Sequence, residues 1–314
     1  MSNQNPIATR LRHHDPLILD GALATELERR GCDLHDPLWS AKVLIEQPQL
    51  IQAVHHDYFA AGADVAITAS YQASFAGFAQ RGLDHRAAAA LMARSVELAA
   101  TAREHWWHTT GQRSGRAYPL VAASIGPYGA YLHDGSEYRG DYALDETGLL
   151  AFHRPRMAAL LAAGPDLLAC ETIPCLTEAR VLARLLGEFP GAWAWISFSA
   201  RNEHQLSSGE PISAAAELLA NHPQVVAIGI NCTPPHYLVD LLQTTRAITS
   251  KPLLAYPNSG EHWDATSGTW HGTANCDDFA TAAQRWHAAG AQLIGGCCRT
   301  TPEHIRMLRA AFAS

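Results

Sequence analysis

Seven cysteines lie along the chain, and three of them end apolar runs: Cys232 in GINCTPP, and Cys297 with Cys298 in GGCCRTTP. Cysteine thiolates are soft ligands. Three of them with one open position make a Zn2+ site able to accept a further sulfur. Neighbouring residues of a regular strand point to opposite faces. Cys297 and Cys298 therefore converge only if the backbone turns there, and Gly295-Gly296 offers that freedom. Spacing alone leaves two other readings open, namely three small buried thiols or a vicinal Cys297–Cys298 disulfide. Cys170 and Cys175 flank ETIP without a metal-binding spacing, so Cys170 is expected in the core. Two carboxylates, Asp20 and Glu171, end two further runs. Such a pair could act as general acid and base, or Asp20 could cap a following turn. Asn231 precedes a candidate ligand, where it could orient the site or satisfy turn backbone. Arg299-Thr300 could meet an anion at a helix start.

Placing these residues requires a scaffold. Eight short, nearly continuous apolar runs recur: PLILD (16–20), ADVAITAS (63–70), YPLVAASIG (118–126), DLLACET (166–172), AWAWISFSA (192–200), QVVAIGIN (224–231), PLLAYPN (252–258) and AQLIGG (291–296). Such runs suit strands buried on both faces of a parallel sheet. The intervening stretches have helical spacing. Ala87, Leu91, Leu98 and Ala102 are expected on one face, and Leu238, Leu241, Leu242 and Thr245 on another. Thr301 followed by Pro302 reads as the start of the last helix. Gly62, Gly164 and Gly290 stand where helices should end. Eight strand–helix units predict an α/β fold, a single (β/α)8 barrel over 1–314 with no second domain. A doubly wound open sheet is disfavoured, because no Gly-x-Gly-x-x-Gly follows an early run. In a barrel, strands six and eight open onto the same mouth, which would bring the three cysteines together. The longest irregular insertion, 126–146, follows the third run.

The chain has 314 residues, 47% of them hydrophobic, and a formal net charge of −7. That composition can bury a large core and argues against a general nucleic-acid binder. No apolar stretch is long enough to predict a membrane span. The first sixteen residues read as a polar tail rather than an export signal. With an odd cysteine count, this predicts a cytoplasmic protein with reduced thiols. The histidine pairs at 13–14 and 55–56 are expected on the surface or on helix faces.

Taken in order, DGALATELERRG, ITASYQAS, SIGPYGAYLHDGSEYRGDY, LLACET, GINC, YPNSGE and GGCC resemble the homocysteine S-methyltransferase family over the whole chain. The long third-run loop resembles the branch using S-methylmethionine or S-adenosylmethionine as methyl donor. The family often has a second glycine where this chain has Ala22. The resemblance implies that Cys232, Cys297 and Cys298 bind zinc, which holds homocysteine as its thiolate, and that methionine is the product. It implies that Asp20 and Glu171 hold the substrate amino group, with Thr68 as a further contact and Gly21 allowing close backbone approach. A sulfonium donor suits aromatic faces. Candidates are Trp39, Tyr71, Tyr128 and Tyr131, with Asp134 and Glu137 as charge partners and Arg139 for a donor carboxylate. Alternatives are a methyltransferase for selenocysteine or another small thiol, and a non-catalytic zinc or thiol-redox barrel.

Overall fold

Each apolar run coincides with a strand, to within a few residues at its ends, in the computed structural model, which describes residues 4–11, 16–34, 40–260, 262–264, 269–271 and 276–313. In chain order these are β1 (Leu17–Ile18), β2 (Val65–Ile67), β3 (Leu120–Ile125), β4 (Leu167–Ile173), β5 (Ala194–Phe198), β6 (Val225–Asn231) and β7 (Leu253–Tyr256). A short antiparallel ribbon follows, β8 (His262–Asp264) with β9 (Thr269–His271), which no alternation in the sequence signals. The last barrel strand is β10 (Ala291–Ile294). The barrel strands pair in parallel in the order β1-β10-β7-β6-β5-β4-β3-β2. The two edge strands meet at a parallel Leu19–Val65 bridge, and Asp20 N–H donates to Val65 O at 3.0 Å, which closes the ring.

Alternation along the strands sorts their side chains into two cores. Leu19, Val65, Ala122, Ala169, Trp195, Ala227 and Leu254 fill the barrel interior. Ile18, Val121, Leu168, Ile196 and Ile228 face the surrounding helices. The amino-terminal segment is more than a polar tail. Ile7 is fully buried in the interior cluster, beside the strand-start residues Leu17, Leu120 and Leu167. Residues 12–15 lie outside the described residues, including the histidine pair at 13–14.

The helix faces follow the sequence pattern with one shift. Leu238, Leu241, Leu242 and Thr245 are all buried. On helix His85–Thr109 the buried stripe runs through Ala88, Met92, Ser95, Ala99, Ala102 and Trp106. Leu91 and Leu98 are half-buried at its flank, because this helix packs against both Pro48–Ala61 and Glu146–Ala162. Gly62, Gly164 and Gly290 have φ of 125°, 73° and 110°, as left-handed helix ends require. His55 lies, as expected, on a helix face, the inner one of Pro48–Ala61. It is completely buried, and burial pushes its imidazole down to about 4. His56 lies tilted against His105. The 126–146 insertion is partly regular, with a helical turn at Tyr128–Leu132 and a tighter one at Ser136–Tyr138.

Candidate metal and amino-acid site

Cys232 follows the last residue of β6, while Cys297 and Cys298 follow β10. Their sulfur atoms all lie within 4.8 Å of one another, and this is the one such group among the described residues. Cys232 Sγ is 3.5 Å from Cys298 Sγ, and Cys297 Sγ is 4.0 Å from it. Backbone bonds pin all three segments to the neighbouring strand end. Cys232 N–H donates to Tyr256 O (3.2 Å), Cys297 N–H to Pro257 O (2.7 Å), and Ser259 N–H to Cys298 O (3.0 Å).

The vicinal cysteines converge because they have left the strand. Thr300 N–H donates to Cys297 O (3.1 Å), making a turn in which Arg299 takes φ of 67°. Gly295 and Gly296 do not make that turn. Their need is space, since a Cβ at Gly295 would stand 2.5 Å from Leu19 Cβ, and one at Gly296 would stand 2.3 Å from Thr300 Oγ1. The same holds at Gly21, whose Cβ would meet Thr300 Oγ1 at 2.8 Å and the Tyr58 hydroxyl at 2.9 Å. Thr300 Oγ1 donates to Cys297 O and accepts from Ala22 N–H, so this hydroxyl serves the turn rather than an anion. Thr301 N–H donates to His304 Nδ1 (3.2 Å) as the last helix begins.

The three thiols titrate as one coupled cluster. Hydrogen bonds from the Cys232 and Cys297 thiols hold the Cys298 thiol well below its usual range. The other two are raised, chiefly by that sharing and by burial, so all three ionise together only beside a cation. Three soft sulfurs that need a cation fit a thiophilic metal.

Asp20 and Glu171 are both buried at the same end of the barrel. Asp20 does not cap a helix, because Oδ2 accepts Ile67 N–H across the strand ends (2.8 Å). Glu171 Oε1 accepts from the Ser124 hydroxyl and Oε2 from the Tyr256 hydroxyl (3.1 Å). Burial pushes Asp20 up, with Glu171 adding to the rise, and burial brings Glu171 to about 7. Two such carboxylates gain from a cationic guest. Thr68 stands behind Glu171. Its Oγ1 accepts Ser124 N–H (3.1 Å) and shares a bond with Ser70 (2.7 Å), so it fixes the residue that holds the carboxylate.

Asn231 accepts the backbone N–H of Thr172 at its Oδ1 (2.7 Å). It is wholly buried, and its carboxamide joins Thr172 and Ser197 inside the barrel. Tyr71 is bonded to Thr172, and its hydroxyl feels both Glu137 and Cys232. Burial pushes Glu137 to about 7, and its Oε2 has no hydrogen-bond partner. Tyr128 instead packs against Tyr142 and Phe152 at 5.4 and 5.0 Å, and Tyr131 lies against the same Phe152. Asp134 accepts Ser136 N–H, and Arg139 pairs with Asp141. Trp39 lies outside the described residues.

Sequence reasoning missed Tyr138, whose hydroxyl is 3.2 Å from Cys232 Sγ while the residue stays 43% exposed over the cluster. Nothing in the sequence separates it from the other loop tyrosines. Tyr256 also went unnamed, although its place at the end of the seventh run marked it.

A family model described as homocysteine S-methyltransferase matches residues 17–312. A Bacillus subtilis protein named homocysteine S-methyltransferase YbgG is 55% identical over 306 residues, covering 98% of this chain and 97% of that one. An Escherichia coli homocysteine S-methyltransferase is 55% identical over 311 residues, covering 99% of each chain. The metallated form of the homocysteine methyltransferase MmuM from Escherichia coli superposes with a TM-score of 0.88 at 52% identity, covering 98% of this chain and 99% of that one. A closed β/α ring with three converging thiols and two buried carboxylates, matched along almost its whole length, places this chain in the homocysteine S-methyltransferase family.

Proposed function

We propose that this protein transfers a methyl group from S-methylmethionine to homocysteine to form methionine, with zinc at Cys232, Cys297 and Cys298 and S-adenosylmethionine as the alternative donor. The observation that carries the reading is the three-sulfur cluster beside two buried carboxylates. The names of the relatives support the acceptor. When bound, zinc would act as a Lewis acid that keeps the acceptor sulfur ionised at neutral pH. Asp20 and Glu171 take the ammonium group of homocysteine, and its charge lets both carboxylates ionise. Ser124 and Tyr256 keep Glu171 aimed. Tyr138 covers the cluster, and its hydroxyl can donate to Cys232 Sγ.

Glu137 and Tyr71 offer a carboxylate and an aromatic face to the sulfonium. In the transfer the donor's S–CH3 bond breaks as the new S–CH3 bond forms. The donor sulfur keeps the electron pair and leaves as a neutral thioether. No proton moves in this step, so Asp20 and Glu171 bind rather than act as acid and base. Holding the two sulfurs in line is the protein's main contribution. Reduced thiols require a reducing compartment, which favours the cytoplasm. A redox-only barrel would have no use for the carboxylate pair.

The test is methionine formation by zinc-loaded protein with L-homocysteine and each donor in turn. S-Methylmethionine should give turnover at least equal to that with S-adenosylmethionine. Absence of methionine with both donors would refute the proposal.

A further inference from the structure

We propose that Asn231 is a positioning residue that couples the thiol cluster to the carboxylate pocket, so that filling either one tightens the other. This rests on the function proposed above. Asn231 ends β6 immediately before Cys232, and none of its surface is exposed. Its carboxamide reaches over β5 to β4. Oδ1 accepts Thr172 N–H (2.7 Å) and the Ser197 hydroxyl (2.9 Å), while Nδ2 donates to Thr172 Oγ1 (2.7 Å). With those bonds made inside a closed wall, the side chain is in no position to contact a substrate.

Thr172, on the far side, is the residue after Glu171. It has φ of 60°, and Cys232 has φ of 50°. Left-handed backbone is disfavoured for non-glycine residues, above all for β-branched threonine, and persists only where neighbours enforce it. One carboxamide bonds to the first of these residues and adjoins the second. The pairing of β4 with β5 is interrupted between Cys170 and Ile173, where this contact is made. A second branch leads to the same carboxylate. Ser197 Oγ meets the Tyr256 hydroxyl (2.6 Å), which donates to Glu171 Oε2 (3.1 Å).

A ligand that fixes Cys232 therefore also fixes Asn231, and through it the peptide that carries Glu171. An ammonium group held by Glu171 acts in the opposite direction, by the same factor. Glu171 and Cys232 also interact directly through space. That contribution survives the loss of Asn231, so substitution isolates the carboxamide.

The experiment measures zinc affinity by chelator competition, with and without saturating L-2-aminobutyrate. This probe has the amino-acid ammonium and carboxylate but no sulfur. In the wild type it should tighten zinc at least about fivefold, within the usual range of such couplings. Thr172→Val, which preserves bulk, and Asn231→Ala should each keep all three thiols and bind zinc. In both, the tightening should fall to less than half of the wild-type factor. Thermal melts confirm that each variant is folded, and Thr172→Val supplies the answer if Asn231→Ala is not. Equal tightening in wild type and folded variants, or none in the wild type, overturns the coupling. Zinc failing to bind the wild type would sink the proposed function as well, whereas zinc binding with unchanged tightening sinks the coupling alone.

Discussion

At the scale of single residues, Glu171 carries much of the proposed recognition. It is held by two hydroxyls and pushed to about 7 by burial, so it awaits a cation. Glu171→Gln removes the charge and retains much of the shape. The KM for homocysteine should rise about 10-fold or more, the worth of one charge-assisted hydrogen bond, with kcat changed less. An unchanged KM would remove Glu171 from the substrate site. The candidate site residues legible in the sequence are those whose chemistry is distinctive at a strand end: the three cysteines and the two acids. Thr68, Gly21 and Asn231 were also picked out, but their structural partners were not visible. Thr68 supports Ser124, Gly21 makes room for Thr300 and Tyr58, and Asn231 addresses Thr172. Each depends on contacts between strands far apart in the chain, which spacing does not reveal.

At the scale of elements, the 126–146 segment is held from beneath. Arg156, buried in helix Glu146–Ala162, donates to Gly126 O (2.9 Å), Ser70 O (2.8 Å) and Tyr71 O, tying the ends of β2 and β3 together. Glu178, buried in helix Leu176–Leu186, accepts Tyr128 N–H (2.6 Å) and the Tyr142 hydroxyl and faces His153 Nε2 at 2.8 Å. Burial raises Glu178 to about 8 and pushes His153 well down, so a neutral acid can donate to a neutral imidazole. An unfolded glutamate loses its proton near its ordinary value of 4.5. Glu178 therefore stabilises the fold most at low pH, and that contribution is lost as pH rises through about 8. His153 acts the other way, but only below its ordinary value of 6.5. Denaturation midpoints from pH 6.5 to 8 should fall in the wild type and fall less in Glu178→Gln. Parallel slopes would contradict the neutral pair. Strand positions were readable because parallel strands buried on both faces leave continuous apolar runs. The turns at Tyr128–Leu132 and Ser136–Tyr138 were not, because they are short and pinned by Glu178 and Ser199 from other elements.

For the whole molecule, the ring closes where β1 meets β2, at the Leu19–Val65 bridge and through Asp64 N–H to Ile18 O (2.6 Å) and Asp20 N–H to Val65 O (3.0 Å), with Ile7 packed in the interior cluster. Ile7→Ala should cost about 2–4 kcal/mol, as buried isoleucine truncations do. A denaturation midpoint equal to that of the wild type would show that the segment only leans on the barrel. The ring brings the ends of β6 and β10 together although their cysteines are 65 residues apart or more. The central claim is that three protein sulfurs leave room for one substrate sulfur. X-ray absorption of the zinc-loaded protein, with and without L-homocysteine, tests it most directly. The account predicts three sulfurs at about 2.3 Å and one lighter neighbour in the free protein, becoming four sulfurs when homocysteine is added. Fewer than three sulfurs in the free protein, or a first shell that homocysteine leaves unchanged, would contradict it.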